Sequence, residues 1–520
     1  MVGGVMGGGG GGGGGKQGKV GQYQQQGWKG VAEQVAGTFS SKLTMVIGVG
    51  CICSCAYVVL LLVSSHPCAQ SYAGTSAVPE TTLLQTVNMT KEVKSLARNV
   101  VKESSAETSL ERIVFGIGAS ASMWKTRRQF INKWWKKGKT RGYVWFDSDL
   151  GEVWDPEMDP EYKVSENTSH FRYTHKTGSR AAIRISRIVS ESYRLGLPNV
   201  DWFVMGDDDT FFFTENLVAV LSKYDPKKLW YIGKNSEDHI QNQLFSYSMA
   251  YGGGGFAISY ALAKTLAETQ DDCIHRYPWL YGSDDRMKAC VSELGVPLTK
   301  EGGFHQFDVR GDAQGLLSAH PLTPIISLHH LEAIYPLFPN HTRPEALAHL
   351  TEALSVSPYD IFQQAICYDS GKNWSFSVSS GYVINVYKGF IPPTQLEVPT
   401  ITFLSWHRRR ESYAFPFSTQ PRAREICEEP SSYYMEQANG RAGGSIQISY
   451  KKNERINRTK VCQQKLLPMS LVENIFVESE KLGREWVENP RRQCCRVMEV
   501  NEESIRMQVG ACRAGETLVS

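Results

Sequence analysis

Leu43 to Val63 is a run of 21 residues without a charge. At about 1.5 Å rise per helical residue it matches the ~30 Å hydrocarbon core of a bilayer, which predicts one membrane-spanning helix. From Glu111 the pattern changes to short apolar runs separated by helical stretches. Ile113 to Ile117 reads as a buried strand, Arg127 to Lys136 as a helix, Gly142 to Phe146 as a strand, Ala181 to Leu195 as a helix and Trp202 to Met205 as a strand. Strands alternating with helices predict an α/β domain on a mainly parallel sheet, with ligands gathered beyond the carboxyl ends of the strands. Past about Tyr335 the grammar shifts. Trp374 to Tyr387, Ser445 to Tyr450 and Ile505 to Val509 alternate apolar and polar positions, which predicts antiparallel strands in a β-rich accessory region.

These patterns divide the chain of 520 residues into five parts. Residues 1–42, with an unbroken Gly7 to Gly15 tract, lack the apolar area to offset chain entropy and read as a disordered tail. Residues 43–63 are the anchor, 64–109 a Ser- and Thr-rich stem, 110–335 the α/β domain and 336–520 the accessory region. The net charge of +3 sits entirely before the apolar run, so no basic surface of the kind nucleic acid requires is indicated. Lysines on the N-terminal flank keep that side cytoplasmic and put the C-terminal bulk in a lumen. A cleaved secretory signal is the competing reading of the same segment, but a leader of 42 residues is long for one. Five N-x-Ser/Thr sequons, at Asn88, Asn167, Asn340, Asn373 and Asn457, all follow the anchor. Eight of the 12 cysteines lie in the distal chain, an even number that permits disulfides in an oxidising compartment without fixing their connectivity.

The candidate chemistry begins at Trp202 to Thr210, an apolar strand running into Asp207, Asp208 and Asp209. If strand geometry continued, Asp207 and Asp209 would share a side, two hard oxygen ligands for Mn²⁺ or Mg²⁺. Acidic clusters at strand ends are also common as solvated turns. The run Gly252 to Gly255 would let backbone approach a ligand closely, or simply make a turn. Asp284 and Asp285 open an apparent helix, where a carboxylate either caps the helix or removes a proton from a hydroxyl. His305, His329 and His330 are three candidates for an imidazole ligand.

In order, GDDDT at 206–210, GGGGFAIS at 252–259, GSDDRM at 282–287 and SLHHL at 327–331 resemble the Fringe-like family of β-1,3-glycosyltransferases. The long C-terminal extension resembles the plant branch of that family. The resemblance implies a GT-A type, Rossmann-like fold, a UDP-sugar donor, a divalent metal and inversion at the anomeric carbon. It implies Asp207, Asp209 and His329 as metal ligands, Asp207 or Asp208 with Asp147, Gly253 and Gly254 as donor contacts, and Asp285 as general base. It implies a glycan, glycoprotein or small-molecule hydroxyl acceptor and a single-pass, type II Golgi membrane protein, with no nucleic-acid partner; the oligomeric state stays open. The alternatives are a non-catalytic lumenal sugar-binding or scaffold protein on the same fold, and a metal-dependent phosphohydrolase built on clustered aspartates.

Overall fold

A computed structural model describes residues 108–453 and 471–519. The expected tail, anchor and most of the stem lie outside the described residues, and among the described residues no helix is long and apolar enough to cross a membrane.

Strands β1 (Ile113–Gly118) and β4 (Trp202–Asp207) are buried along their whole length. A strand covered on both faces has to be central in a sheet with helices on either side. The remaining strands of this half are β2 (Arg141–Phe146), β3 (Tyr162–Val164), β5 (Phe211–Phe212), β6 (Tyr231–Gly233), β7 (Phe256–Ser259), β8 (Leu298–Lys300), β9 (Val309–Gly311) and β10 (Ser327–Leu328). Seven of them form one sheet in the order β3-β2-β1-β4-β7-β6-β8. It is parallel from β3 through β4, but β7 runs antiparallel to both β4 and β6. The mainly parallel expectation therefore holds for the half that ends at Asp207 and fails at β7.

The helices are α1 (Trp124–Trp134), α2 (Ala181–Arg194), α3 (Thr214–Leu221), α4 (His239–Leu244), α5 (Tyr260–Arg276), α6 (Ser283–Glu293), α7 (Gln314–Leu317) and α8 (Arg343–Val356). Alternation along β1 sends Ile113, Phe115 and Ile117 into one core with Trp134 and Phe212, and Val114 into a second core with Ile183 and Ile188 of α2. The Cys273–Cys290 disulfide ties α5 to α6 on that second side.

The C-terminal half supplies β11 (Gln364–Asp369), β12 (Trp374–Ser379), β13 (Val383–Lys388), β14 (Phe403–Ser405), β15 (Ser431–Gly440), β16 (Ser445–Lys452), β17 (Asn474–Glu480), β18 (Cys494–Val500) and β19 (Ser504–Gly510). All but β14 close into a barrel in the order β11-β12-β13-β15-β16-β17-β19-β18. Full closure removes the exposed edges that an open sheet of this size would carry. The closing seam, β18 against β11, is parallel, and the Cys367–Cys495 disulfide joins the two strands there. Cys494 pairs with Cys512, so the adjacent cysteines serve separate bridges.

Strand β14 leaves the barrel and pairs antiparallel with β9 of the α/β half, Phe403 opposite Gly311 and Ser405 opposite Val309. One hydrophobic cluster runs from Phe115 to barrel residues such as Phe376 and Ile384, and all the described residues fall in one compact unit. A buried amide reinforces the junction: Asn216 Nδ2 donates to the carbonyls of Ile325 at 2.8 Å and Pro358 at 3.0 Å. Replacing Asn216 by Ala should cost about 1–3 kcal/mol, because two buried carbonyls lose this donor. Urea-unfolding midpoints of the wild-type and substituted proteins measure it.

Candidate active site

The triple aspartate sits where β4 ends. Strand geometry does not continue past Asp207. Instead the Thr210 hydroxyl accepts from Asp207 N–H at 2.8 Å and donates to the Gly253 carbonyl at 2.7 Å, closing a tight turn. The chain then enters β5, which pairs with β10 so that Leu328 lies opposite Phe211. One residue further along β10 is His329. Its Nε2 lies 3.0 Å from Asp209 Oδ1 and 3.8 Å from Asp207 Oδ2, and one ligand atom from each of the three residues fits within a 4.8 Å sphere of mutual distances. The grouping of Asp207 with Asp209 expected from strand alternation is thus produced by a turn and a cross-strand pairing.

The donor set suits a hard or borderline divalent cation: two carboxylates and one imidazole. The tautomer is prepared for it. His329 Nδ1 donates to the Gln306 carbonyl at 3.2 Å, so Nε2 presents its lone pair whenever the ring is neutral. Burial pulls the His329 imidazole down, but the Asp209 and Asp207 charges outweigh it and hold the pKa above its ordinary value. Burial would raise Asp209, yet His329 and Arg127 overcome it and keep this carboxyl far below the usual range. Asp208 behaves oppositely: burial and the neighbouring Asp209 charge push it up to about 7, even though Arg127 Nη1 donates to it at 2.9 Å.

Arg127 carries much of the local charge balance. From α1 it reaches Asp208, Asp209 at 3.0 Å and Glu332 at 3.0 Å. Arg184, 7% exposed on α2, donates to the carbonyls of Trp145 and Ala119 behind the strand ends. Neither arginine was singled out in the sequence: each is one of many, and each meets its carboxylates only through the packing of a helix onto the sheet.

The other expected residues divide. Asp147 lies beyond β2, where its carboxylate accepts from Ala121 N–H at 2.9 Å and from the Ser120 hydroxyl at 3.1 Å. Its partial burial works upward, but these bonds and the Arg184 charge hold its pKa below the ordinary value. It stays exposed at the mouth of the strand ends, with Asp149 two residues on. Gly253 and Gly254 have a packing role in the structure. Both are buried, and a Cβ on Gly253 would fall 2.2 Å from the His329 ring, while one on Gly254 would fall 2.6 Å from the Gln306 nitrogen. Their missing side chains make room for the His329 ring and for residues 305–306.

Asp284 and Asp285 part company at the start of α6. Asp285 accepts from the Tyr281 N–H at 2.8 Å and the Gly282 N–H at 2.9 Å, caps the helix and remains half-buried. Asp284 is 2% exposed and lies under it. Burial raises both. Of the three histidines, only His329 joins the aspartates. His305 bonds Glu237 and His320, each at 2.9 Å, in a separate buried cluster. His330 stacks between His329 and Trp406, with ring centroids 3.8 and 4.2 Å away. Trp406, which also packs under Arg310 at 3.9 Å, comes from the C-terminal half and carried no signal in the sequence that would connect it to this site.

A sheet whose parallel strands end at a carboxylate-imidazole trio, with further acidic groups at the neighbouring strand ends, presents a candidate divalent-cation site at the carboxyl edge of an α/β domain. Residues 108–313 match the family model described as Fringe-like, and residues 241–495 match one described as a protein of unknown function, DUF604. Over residues 108–313 the chain is similar to the Fringe-like glycosyltransferase family. The chain is 25% identical over 219 residues to the Fringe glycosyltransferase of Drosophila melanogaster, covering 38% of this chain and 50% of that protein. It is 30% identical over 126 residues to UDP-GlcNAc:betaGal beta-1,3-N-acetylglucosaminyltransferase 7 of Rattus norvegicus, covering 22% of this chain and 31% of the relative. It is 24% identical over 199 residues to the Beta-1,3-N-acetylglucosaminyltransferase lunatic fringe of Danio rerio, covering 34% and 48%. The chain therefore spans half or less of the length of these curated relatives.

The close approach of Gly253 to the histidine gives a test. Gly253→Ala should displace the His329 ring and weaken Mn²⁺ binding by about 10–100-fold, the scale of changes just outside a ligand set. Calorimetric titration with MnCl₂ reads this directly, with circular dichroism as the control for folding.

Proposed function

We propose that the protein is an inverting, metal-dependent glycosyltransferase that moves a monosaccharide from a UDP-sugar to a hydroxyl acceptor on a glycan, a glycoprotein or a small molecule, forming a β-1,3 linkage. The observation that carries this reading is the Asp207, Asp209 and His329 trio at the carboxyl edge of the sheet. The family match supports the reaction class, and the names of the relatives support the linkage. The long C-terminal extension supports placing the chain in the plant branch. The charge-free run at 43–63 and the exposure of Asn167, Asn340 and Asn373 support a type II, single-pass protein whose α/β half faces the Golgi lumen.

Asp207, Asp209 and His329 would hold Mn²⁺ or Mg²⁺, which supplies positive charge to a departing diphosphate. Arg127 keeps Asp209 ionised and oriented for that role. Asp208 faces the same space for donor contacts, and Asp147 with Asp149 flanks the region beyond β1 and β2 where the nucleotide would lie. Asp285 is the proposed base: two backbone N–H groups fix its carboxylate, burial raises its pKa toward working pH, and partial exposure leaves it reachable by an acceptor. Transfer of the acceptor proton to Asp285 accompanies attack on the anomeric carbon from the side opposite the diphosphate, so an α-linked donor yields a β-linked product.

UDP release by the purified protein, measured across a panel of UDP-sugars and acceptors with Mn²⁺, tests the class. No release with any donor would favour the scaffold alternative. Asp209→Ala should abolish metal-dependent donor binding, whereas Asp285→Asn should spare donor binding and lower turnover by about 10²–10⁴-fold. Full turnover in Asp285→Asn, with loss in Asp284→Asn, would move the base to the deeper carboxylate.

A further inference from the structure

A second cavity lies at the far end of the β9–β14 ribbon. The Val309 and Ser405 end of this ribbon leads to Asp308 and to Trp406, which stacks on His330, while the Gly311 and Phe403 end opens on a cleft between the α/β half and the barrel. The cleft encloses about 380 Å³, within the ~300–1,000 Å³ of small-molecule sites.

Its floor is a fixed polar network. Gln314 at the start of α7 donates through Nε2 to Asn385 Oδ1 at 2.9 Å and to Ser432 Oγ at 3.0 Å, and Ser432 Oγ donates to Asn385 Oδ1 at 2.8 Å. Two donors on one oxygen set the orientation of the Asn385 amide. Asn385 is 3% exposed and lines the cleft, and its Nδ2 donors have no hydrogen-bond partner among the described residues. Tyr387, two positions on and therefore on the same face of β13, also lines the cleft, and its hydroxyl likewise has no partner among the described residues. At the rim Arg422 donates to Glu429 at 3.0 Å.

We infer that this cleft is a binding site for a neutral saccharide, separate from the metal trio. The chemistry selects the ligand class. An apolar occupant would bury the Asn385 and Tyr387 donors unpaired, which is costly. An anionic one would meet the Glu428 carboxylate, with the Arg422 guanidinium already engaged by Glu429. A ring carrying several hydroxyls satisfies both the fixed amide and the phenol.

Calorimetric or saturation-transfer titration of the full-length protein, without metal or nucleotide, tests this with lactose, cellobiose and N,N′-diacetylchitobiose as neutral probes and UDP and glucuronic acid as charged ones. At least one neutral disaccharide should bind saturably, and Asn385→Asp and Tyr387→Phe should each weaken it by tenfold or more. Asp209→Ala should retain it, which separates this site from the proposed transfer chemistry. No saturable binding of any neutral probe, binding that both cleft variants retain, or binding of glucuronic acid in their place overturns the inference.

Discussion

The contact between His329 and Asp209 is the interaction on which the rest of the site depends, and it is made by a two-residue strand pair. Strand β5 begins one residue past the triple aspartate, and β10 precedes the histidine immediately, so pairing Leu328 with Phe211 brings imidazole and carboxylate together. A slip of one residue would turn both side chains to the opposite face. The pairing is protected accordingly: Phe211, Phe212 and Leu328 are at most 1% exposed. The Thr210 hydroxyl and the side-chain-free face of Gly253 hold the turn and the ring from behind.

The electrostatics follow from this geometry. Asp207, Asp208 and Asp209 are 8%, 4% and 2% exposed, and burying adjacent carboxylates is costly unless positive charge is supplied. Arg127 and the raised pKa of His329 supply part of it, and Asp208 relieves more by rising to about 7. A divalent cation held by Asp207, Asp209 and His329 would supply further positive charge at this spot. Binding of such an ion would add stability to the folded chain as well as chemistry.

The C-terminal half does more than extend the chain. Its one strand outside the barrel among the described residues, β14, completes a ribbon with β9 and delivers Trp406 onto His330, so the wall of the candidate site is built from both halves. The shared hydrophobic cluster and the Asn216 bonds keep that wall in place. The eight-stranded closure then presents β13 and β15 to the other end of the same ribbon, which is why the polar cleft with Asn385 appears where it does.

By itself the sequence determined what local pattern and local chemistry can determine. The apolar runs gave β1, β2 and β4 within a residue or two, period-two alternation gave β12, β13, β16 and β19, and an acidic triplet at a strand end marked the site. Four short motifs in order carried the family. The motif resemblance pointed to His329, and the tertiary structure supplies the reason that it, and not His305 or His330, meets Asp209: the register of a strand pair more than 110 residues apart in sequence. Only the tertiary structure decided that the glycine run serves packing, since only the folded chain shows the His329 ring where a Cβ would stand. It brought in Arg127, Arg184 and Trp406, residues whose types are common and whose partners are set by how helices and a distant strand pack on the sheet. Side-chain period is encoded in neighbours along the chain, whereas convergence of charged groups is encoded in closure of the whole core, and that sum no short window contains.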